Sequence, residues 1–302
     1  MASQQPPEEA VNDLPVGAVS MAALRIVTGN MASLVRMALF PLLLSSLIVA
    51  LLIPASSSAF LSTLLQVASY VPHTLFAVAW HRKTLLHLQE DESTSITAWN
   101  RTHWQFLIRT VILFAILYLL VLIGSLPVGI LFGNIPALLP FGFIGLIVAA
   151  LYVLARLSFI LPAAAVGENY SMNNSWKHTK AQAWRLVGSF LLLVIPSGVV
   201  IIMVATIMLP MLFPDLFAGF ETAAQAGAPA TGEEVLIQLS AEIRNNPLSF
   251  VFFQIVIIAL SYLPTAAVIS MLSLAFQTCT GWVPETASAP SPAPTDETDF
   301  TA

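Results

Sequence analysis

The sequence predicts an all-α, polytopic integral membrane protein with six transmembrane helices. Its 302 residues are 57% hydrophobic and 9% charged, with a mean hydropathy of +0.85. A soluble domain carries roughly 25% charged residues, so this chain has too little charge to cover a surface that faces water. Six apolar stretches are each long enough to cross about 30 Å of hydrocarbon. Short polar segments that carry most of the basic residues lie between them.

The chain begins with a polar, proline-containing segment over residues 1–15, which we predict to be a disordered tail. From residue 16 to residue 30, Val19, Ala23 and Val27 fall at helical spacing. A short helix with one apolar face is typical of a segment that lies at the membrane interface.

Residues 16–282 form the predicted membrane domain, and the Pro-, Ser- and Thr-rich residues 283–302 form a second disordered tail. Within the domain, the prolines and glycines of residues 125–137 predict a turn between the third and fourth spans. The predicted spans cover residues 37–53 (preceded by the more polar 33–36), 60–80, 106–124, 138–155, 184–210 and 250–277.

Two connecting segments carry helical patterns of their own. Ile96, Trp99 and His103 share a helical face ahead of the third span, which predicts another interfacial helix. In the long loop over residues 211–247, a capping-box spacing that begins at Thr231 predicts an amphipathic helix.

The distribution of basic residues predicts the orientation of the chain. Ten of the eleven lysines and arginines precede the first span, lie in the segments at one end of the spans, or lie in the first four residues of the spans that start there; Arg244 lies in the long loop at the other end. Because cytoplasmic segments carry an excess of Lys and Arg, we expect both termini to lie in the cytoplasm. The ten residues are Arg25, Arg36, Arg82, Lys83, Arg101, Arg109, Arg156, Lys177, Lys180 and Arg185.

A repeated tetrad indicates an internal repeat. Ser-Tyr-Val-Pro at residues 69–72 lies in the second span, and Ser-Tyr-Leu-Pro at residues 261–264 lies in the sixth. Each of the corresponding hairpins follows an amphipathic segment. We therefore predict three parallel hairpin units in one orientation, as internal repeats in membrane proteins often are.

The prolines of these tetrads have two interpretations. A proline inside a span leaves a carbonyl without its helical donor, and lipid offers no substitute. The kinks either shape helix packing only, or they line an intramembrane cavity made by Tyr70, Pro72, His73, Tyr262 and Pro264. His73 would then act as a proton-relay or ligand residue, or it would simply bond a carbonyl that the kink frees.

The sequence offers little to an enzyme. No Asp or Glu lies in any predicted span, which argues against an ion-coupled transporter but leaves a passive channel open. One cysteine and widely separated histidines predict no metal site, and no nucleotide-binding or nucleophile-elbow fingerprint is present. We predict no catalytic residue, no cofactor and no nucleic-acid partner.

Aromatic and basic residues at the ends of spans predict contacts with lipid headgroups, to which each basic residue is attracted by about 1 kcal/mol. The alternative is that they only orient the chain while their side chains extend to the interface. The set comprises Arg82 and Lys83, which follow His81, together with Arg156, Trp176, Lys177, Lys180, Trp184 and Arg185.

The segment that joins the fourth and fifth spans carries a family resemblance. It reads SMNNSWKHTKAQAWRLVG, and Ser171, Ser175, Trp176, Thr179, Trp184, Arg185, Leu186 and Gly188 match a recurring pattern. The chain resembles the membrane domain attached to some bacterial glycerophosphoryl diester phosphodiesterases, and related six-span inner-membrane proteins. The resemblance implies a six-span fold and a location in the bacterial inner membrane. The phosphodiesterase activity belongs to a soluble barrel with a His-Arg-Gly motif, from which this chain departs at Lys83.

These observations predict a non-enzymatic inner-membrane protein that binds lipid, a small amphiphile or a protein partner. The alternative is a passive transporter or channel for a small molecule, with a path past the kinked centres of the second and sixth spans.

Overall fold

The computed structural model describes residues 14–55, 58–86, 99–133, 135, 137–214 and 240–284, and all regular structure in them is helical. In chain order the helices are α1 (Val16–Gly29), α2 (Met31–Ala55), α3 (Ala59–Ala68), α4 (Tyr70–Leu86), α5 (Arg101–Phe132), α6 (Leu139–Leu157), α7 (Ile160–Ala165), α8 (Met172–His178), α9 (Ala183–Leu212) and α10 (Pro247–Thr280). Residues 240–245 are also helical.

Six helical stretches are long and apolar enough to cross a membrane, as the sequence predicts. The second stretch combines α3 with α4, and the fourth combines α6 with α7. The stretches are Met31–Leu52, Ala59–Leu86, Arg101–Phe132, Leu139–Ala165, Ala183–Leu212 and Pro247–Thr280. The protein is therefore all-helical and compatible with a multi-pass membrane protein.

The spans are longer than the apolar runs that predict them. The third begins at Arg101 because Asn100 caps it, with Oδ1 accepting from the amides of Thr102 (3.0 Å) and His103 (3.3 Å). The predicted turn over residues 125–137 is wrong in its first part, since α5 continues through Pro127 to Phe132. Spanning helices tolerate such a proline where neighbouring groups satisfy the backbone.

Helix α10 is the centre of the bundle. It contacts α1, α2, α4, α7 and α9. Its buried positions run from Tyr262 to Phe276 and include small residues such as Ala266 and Ser270. Small side chains let neighbouring backbones approach closely, which favours packing between helices in a lipid environment.

Buried side chains are concentrated at one end of the bundle, which we call the basic half because its spans end next to the Arg- and Lys-bearing segments. The other end is the apolar half. In the basic half Phe76, Trp80 and Phe159 are fully buried. Few described side chains are buried in the apolar half, and Phe141 is 67% exposed there. The basic half comprises α1, α4, α5 up to Phe114, α6 from Leu151, α7, α8, α9 up to Leu193 and α10 from Tyr262.

In the apolar half, α5 and α6 approach each other closely at glycines. A Cβ on Gly142 would lie 2.7 Å from Val128 Cγ1 and 2.8 Å from Phe132 Cδ2. A Cβ on Gly124 would collide with the end of the Leu146 side chain. Glycine at both positions therefore permits the close approach of the two helices.

The structure describes one of the predicted amphipathic segments in full and only small parts of the other two. The face of α1 that carries Val19, Ala23 and Val27 is buried, and α1 packs on α9 and α10. The predicted helices around Ile96 and after Thr231 lie largely outside the described residues, as do most of the two predicted tails.

Candidate functional site

A cavity of about 570 Å³ lies in the basic half and is open on one side, where Tyr70 and Phe114 are about half exposed. Its walls come from five of the six spans, formed by α4, α5, α6 with α7, α9 and α10, and most of the side chains that face it are apolar. Along α4 it extends from His81 to Tyr70, which is about 16 Å at 1.5 Å per residue. Ligand pockets typically have volumes of about 300–1,000 Å³ and apolar walls with a few polar groups.

The cavity contains a small set of polar side chains. At one end are Ser69, Tyr70 and His73, and at the other is His81. The remaining members are Thr74, Thr110, Ser158 and Thr265. Polar groups at both ends of an apolar space suit an elongated amphiphile.

His81 belongs to a polar seam between α4 and α10. Its Nδ1 lies 2.8 Å from Ser273 Oγ, and the ring is 1% exposed. Next to it, Trp80 Nε1 donates to Ser270 Oγ at 2.9 Å. Gln277 Nε2 reaches the Leu85 carbonyl at 3.4 Å. The two helices run parallel, because the contacts advance along both in the same direction.

The two proline tetrads share a hydrogen-bond pattern. In the first, Ser69 Oγ donates to the Gln66 carbonyl (2.6 Å), and His73 Nδ1 lies 2.9 Å from the Ser69 carbonyl. In the second, Ser261 Oγ donates to the Ile258 carbonyl (2.7 Å), and Thr265 Oγ1 donates to the Ser261 carbonyl (2.7 Å). In each tetrad the side chain that follows the proline thus bonds the carbonyl four residues earlier. The carbonyls that the two prolines free are those of Ala68 and Leu260, so the interpretation that His73 bonds a freed carbonyl stays a prediction.

The five predicted cavity residues differ in their positions relative to the cavity. Tyr70 and His73 line the cavity. Tyr262 is buried beside it, with its ring centroid 6.4 Å from that of His73. Pro72 is buried and Pro264 half-buried, and neither is among the lining residues. The tetrads therefore shape one end of the cavity and supply part of its wall.

Some buried hydroxyls lack a partner. Thr110 Oγ1, in the cavity wall, accepts and donates no hydrogen bond within the described residues. The hydroxyls of Ser45 and Tyr262 are neighbours of each other in the interior of the bundle. A buried hydroxyl without a partner destabilises a protein by about 1–3 kcal/mol. A polar ligand atom that formed a hydrogen bond with Thr110 would remove this destabilisation.

Among the predicted headgroup residues, Arg156 has a special environment. It is 4% exposed. Its guanidinium donates to the Tyr152 hydroxyl at 3.2 Å and to the Trp176 carbonyl at 2.6 Å, and it lies 4.1 Å from the centre of the Trp176 ring. These partners are all uncharged. A headgroup contact by Arg156 stays a prediction, and it would compete with these contacts.

The backbone carbonyl of Arg156 also binds the connector, by which we mean residues 166–182 between α7 and α9. Ser175 Oγ and Thr179 Oγ1 donate to it at 2.9 and 3.0 Å. The Tyr170 hydroxyl lies 2.8 Å from His178 Nδ1. Burial raises the pKa of Tyr170 to about 12, with a smaller contribution from Cys279, so the phenol stays protonated near neutral pH. The connector is thus fixed by polar contacts as well as by packing.

The other predicted headgroup residues are more accessible. Trp184 is 60% exposed and Trp176 is 41% exposed. Lys177 and Lys180 are exposed, while Arg82, Lys83 and Arg185 are half-buried. For these seven residues, contact with lipid headgroups stays a prediction.

Sequence reasoning missed the wall residues Thr110, Ser158 and Thr265, and it placed His81 at the membrane boundary. A hydroxyl in an apolar helix is a weak signal, because it usually bonds its own backbone. Within the described residues no group of three or more His, Cys, Asp or Glu side chains could hold a metal ion.

Comparison with known proteins adds no assignment. No family model, no curated protein and no solved structure matches the chain. Its function therefore has to be argued from the geometry.

Proposed function

We propose that this chain is a non-enzymatic, multi-pass inner-membrane protein that binds a lipid or another small amphiphile inside the membrane. The observation that supports this most is the cavity of about 570 Å³ between five helices, apolar along its walls and polar at both ends. Acyl chains suit such walls, and His81 or Tyr70 can bond a polar end.

The extent of the cavity favours binding over passage. Its lining residues on α5 end at Phe114, those on α6 begin at Leu151, and those on α9 end at Phe190. Among the described residues, none of the apolar half beyond these points lines it. The alternative function, a passive transporter or channel, would need a path past His73 and the tetrads through that half.

The finer architecture belongs to the same proposal. Both termini lie in the cytoplasm, as the bias of basic residues indicates. The chain comprises three hairpin units with amphipathic helices at the interface. The shared hydrogen bonds of the two tetrads support the repeat. So does the pairing of His81 with Ser273, which are separated by the same interval as the tetrads. Parallel repeats are related by an axis along the membrane normal.

We also propose kinship with the membrane domain of bacterial glycerophosphoryl diester phosphodiesterases, on the motif from Ser171 to Gly188. The polar environment of Ser175 and Thr179, which both bond the Arg156 carbonyl, gives two motif positions a structural reason. Membrane lipids are the proposed partners, with a protein partner as the further alternative.

Filling the cavity tests the proposal. Ala77 lines it and is half-buried, so Ala77→Phe should place a ring in the space a ligand needs. We expect the amount of co-purified amphiphile, measured by mass spectrometry of the protein in nonionic detergent, to fall about tenfold, equivalent to 1.4 kcal/mol.

Ala115→Phe is the matched control, because Ala115 is exposed on α5 and does not line the cavity. It should retain the wild-type content. Equal amphiphile content in both variants, with both folded by circular dichroism, would refute the proposal.

A further inference from the structure

A second cavity, of about 420 Å³, lies between the first turns of α5 and the loop that follows α7. One wall is a stripe on α5 that carries Arg101, Gln105 and Arg109 at intervals of four residues, and such residues share one helical face. Thr102 adds a hydroxyl, and residues 167–169 form the opposite wall.

Arg109 is fixed in this pocket by two carbonyls. Its Nη1 donates to the Ile160 carbonyl and its Nη2 to the Glu168 carbonyl, both at 3.2 Å. A guanidinium has five N–H donors, so donors remain for a ligand. These two contacts hold the group in one orientation before any ligand arrives.

Arg101 is exposed and makes no hydrogen bond or ion pair with the described residues. It stands two turns before Arg109, at the first position of the span. Along the same stripe the pocket thus has one cation that carbonyls hold and one that makes no hydrogen bond within the described part of the chain.

The carboxylate of Glu168 forms no ion pair with either arginine. Its Oε1 accepts a hydrogen bond from Trp282 Nε1 at 2.9 Å. Two guanidinium groups therefore face one carboxylate that is bonded to a neutral indole. An anion in the pocket would meet an excess of positive charge.

We propose that this pocket binds a phosphate group, either in the headgroup of an anionic lipid or in a free phosphate ester. Arginine forks match phosphate oxygens in pairs, and such charge-assisted bonds are about twice as strong as neutral ones. The pocket lies where the span begins at Arg101, the depth at which headgroups meet a spanning helix.

This site is separate from the apolar cavity. On α5 the cavity is lined by Phe106, Thr110, Leu113 and Phe114, whereas the pocket uses Arg101, Gln105 and Arg109. No residue lines both sites. Ala77→Phe should leave phosphate binding unchanged, so failure of one proposal can be told from failure of the other.

The test is native mass spectrometry of the full chain in nonionic detergent, titrated with phosphatidylglycerol and, separately, with phosphatidylcholine. We expect one phosphatidylglycerol to bind more tightly than phosphatidylcholine. Arg101→Gln should weaken that binding about tenfold, because it removes one charge-assisted contact. Arg25→Gln is the matched control, since Arg25 is an exposed arginine on α1, outside the pocket.

A competition arm separates the two sources of phosphate. Displacement of phosphatidylglycerol by millimolar inorganic phosphate would assign the pocket to free phosphate groups. Retention would assign it to lipid headgroups. Arg109→Lys, which keeps the charge but loses the fork, should weaken binding without loss of fold. Equal affinity of the Arg101→Gln and Arg25→Gln variants would overturn the proposal.

Discussion

The basic half and the apolar half of the bundle share α5, α6, α9 and α10, yet they are held together in different ways. In the basic half, Phe76 and Trp80 are fully buried and polar side chains link α4 to α10. In the apolar half the helices present large exposed side chains, such as Ile202 and Met211 of α9, which are 66% and 77% exposed.

The difference shows what stabilises this protein. Between spanning helices the hydrophobic effect supplies no net attraction, because lipid tails are as apolar as leucine. Close packing and interhelical hydrogen bonds remain. Both are concentrated in the basic half, where Ser270 and Ser273 receive partners from α4. We therefore expect most of the packing free energy to reside there.

The largest expected effect is that of Phe76→Ala. Phe76 is fully buried and packs edge-on against Tyr262, with centroids 4.7 Å apart. Removing the ring leaves a void that neighbouring helices fill only in part, at a cost of about 3–5 kcal/mol. Denaturant unfolding in mixed micelles, followed by circular dichroism, measures the change. A cost below that of an exposed phenylalanine would show that the core lies elsewhere.

A smaller effect is expected for the bond between Trp80 and Ser270. Interhelical hydrogen bonds in membranes contribute about 0.6 kcal/mol on average. A double-mutant cycle with Trp80→Phe and Ser270→Ala should give a coupling free energy of that size. An additive cycle would indicate that the bond contributes nothing, and packing alone would then join α4 to α10.

The smallest effect is expected for Phe141→Ala in the apolar half. Its side chain is 67% exposed, so truncation should change the free energy of unfolding by less than about 0.5 kcal/mol. The same unfolding assay provides the comparison with Phe76→Ala. Similar costs at the two positions would mean that the apolar half is covered by another molecule, such as a second copy of the chain.

Much of the fold was predictable from the sequence, since each span is a long apolar run and its length is set by the bilayer. The residues at which the helices end were harder to predict. Helix α4 continues past Trp80 through Arg82 and Lys83 to Leu86 because polar residues continue a helix as readily as apolar ones. Pro127 indicates a turn by composition, but the helix passes through it.

The site was predictable only in part. The repeated tetrads indicated Tyr70 and His73, which do line the cavity. The residues of the other walls could not be predicted, because a spanning helix that is apolar all round carries no periodic signal of which face meets which neighbour. Thr110 and Ser158 become notable only when five helices place them around one space.

The central position of α10 has a consequence for biogenesis. A chain is made from its amino terminus at about 5–20 residues per second, so α10 is the last of the described helices to leave the ribosome. Until it inserts, α1, α2, α4, α7 and α9 lack the neighbour they all contact. The indole of Trp80 and the imidazole of His81 meanwhile lack the serines that they bond, so the hydrogen bonds between α4 and α10 form only when the last span has inserted.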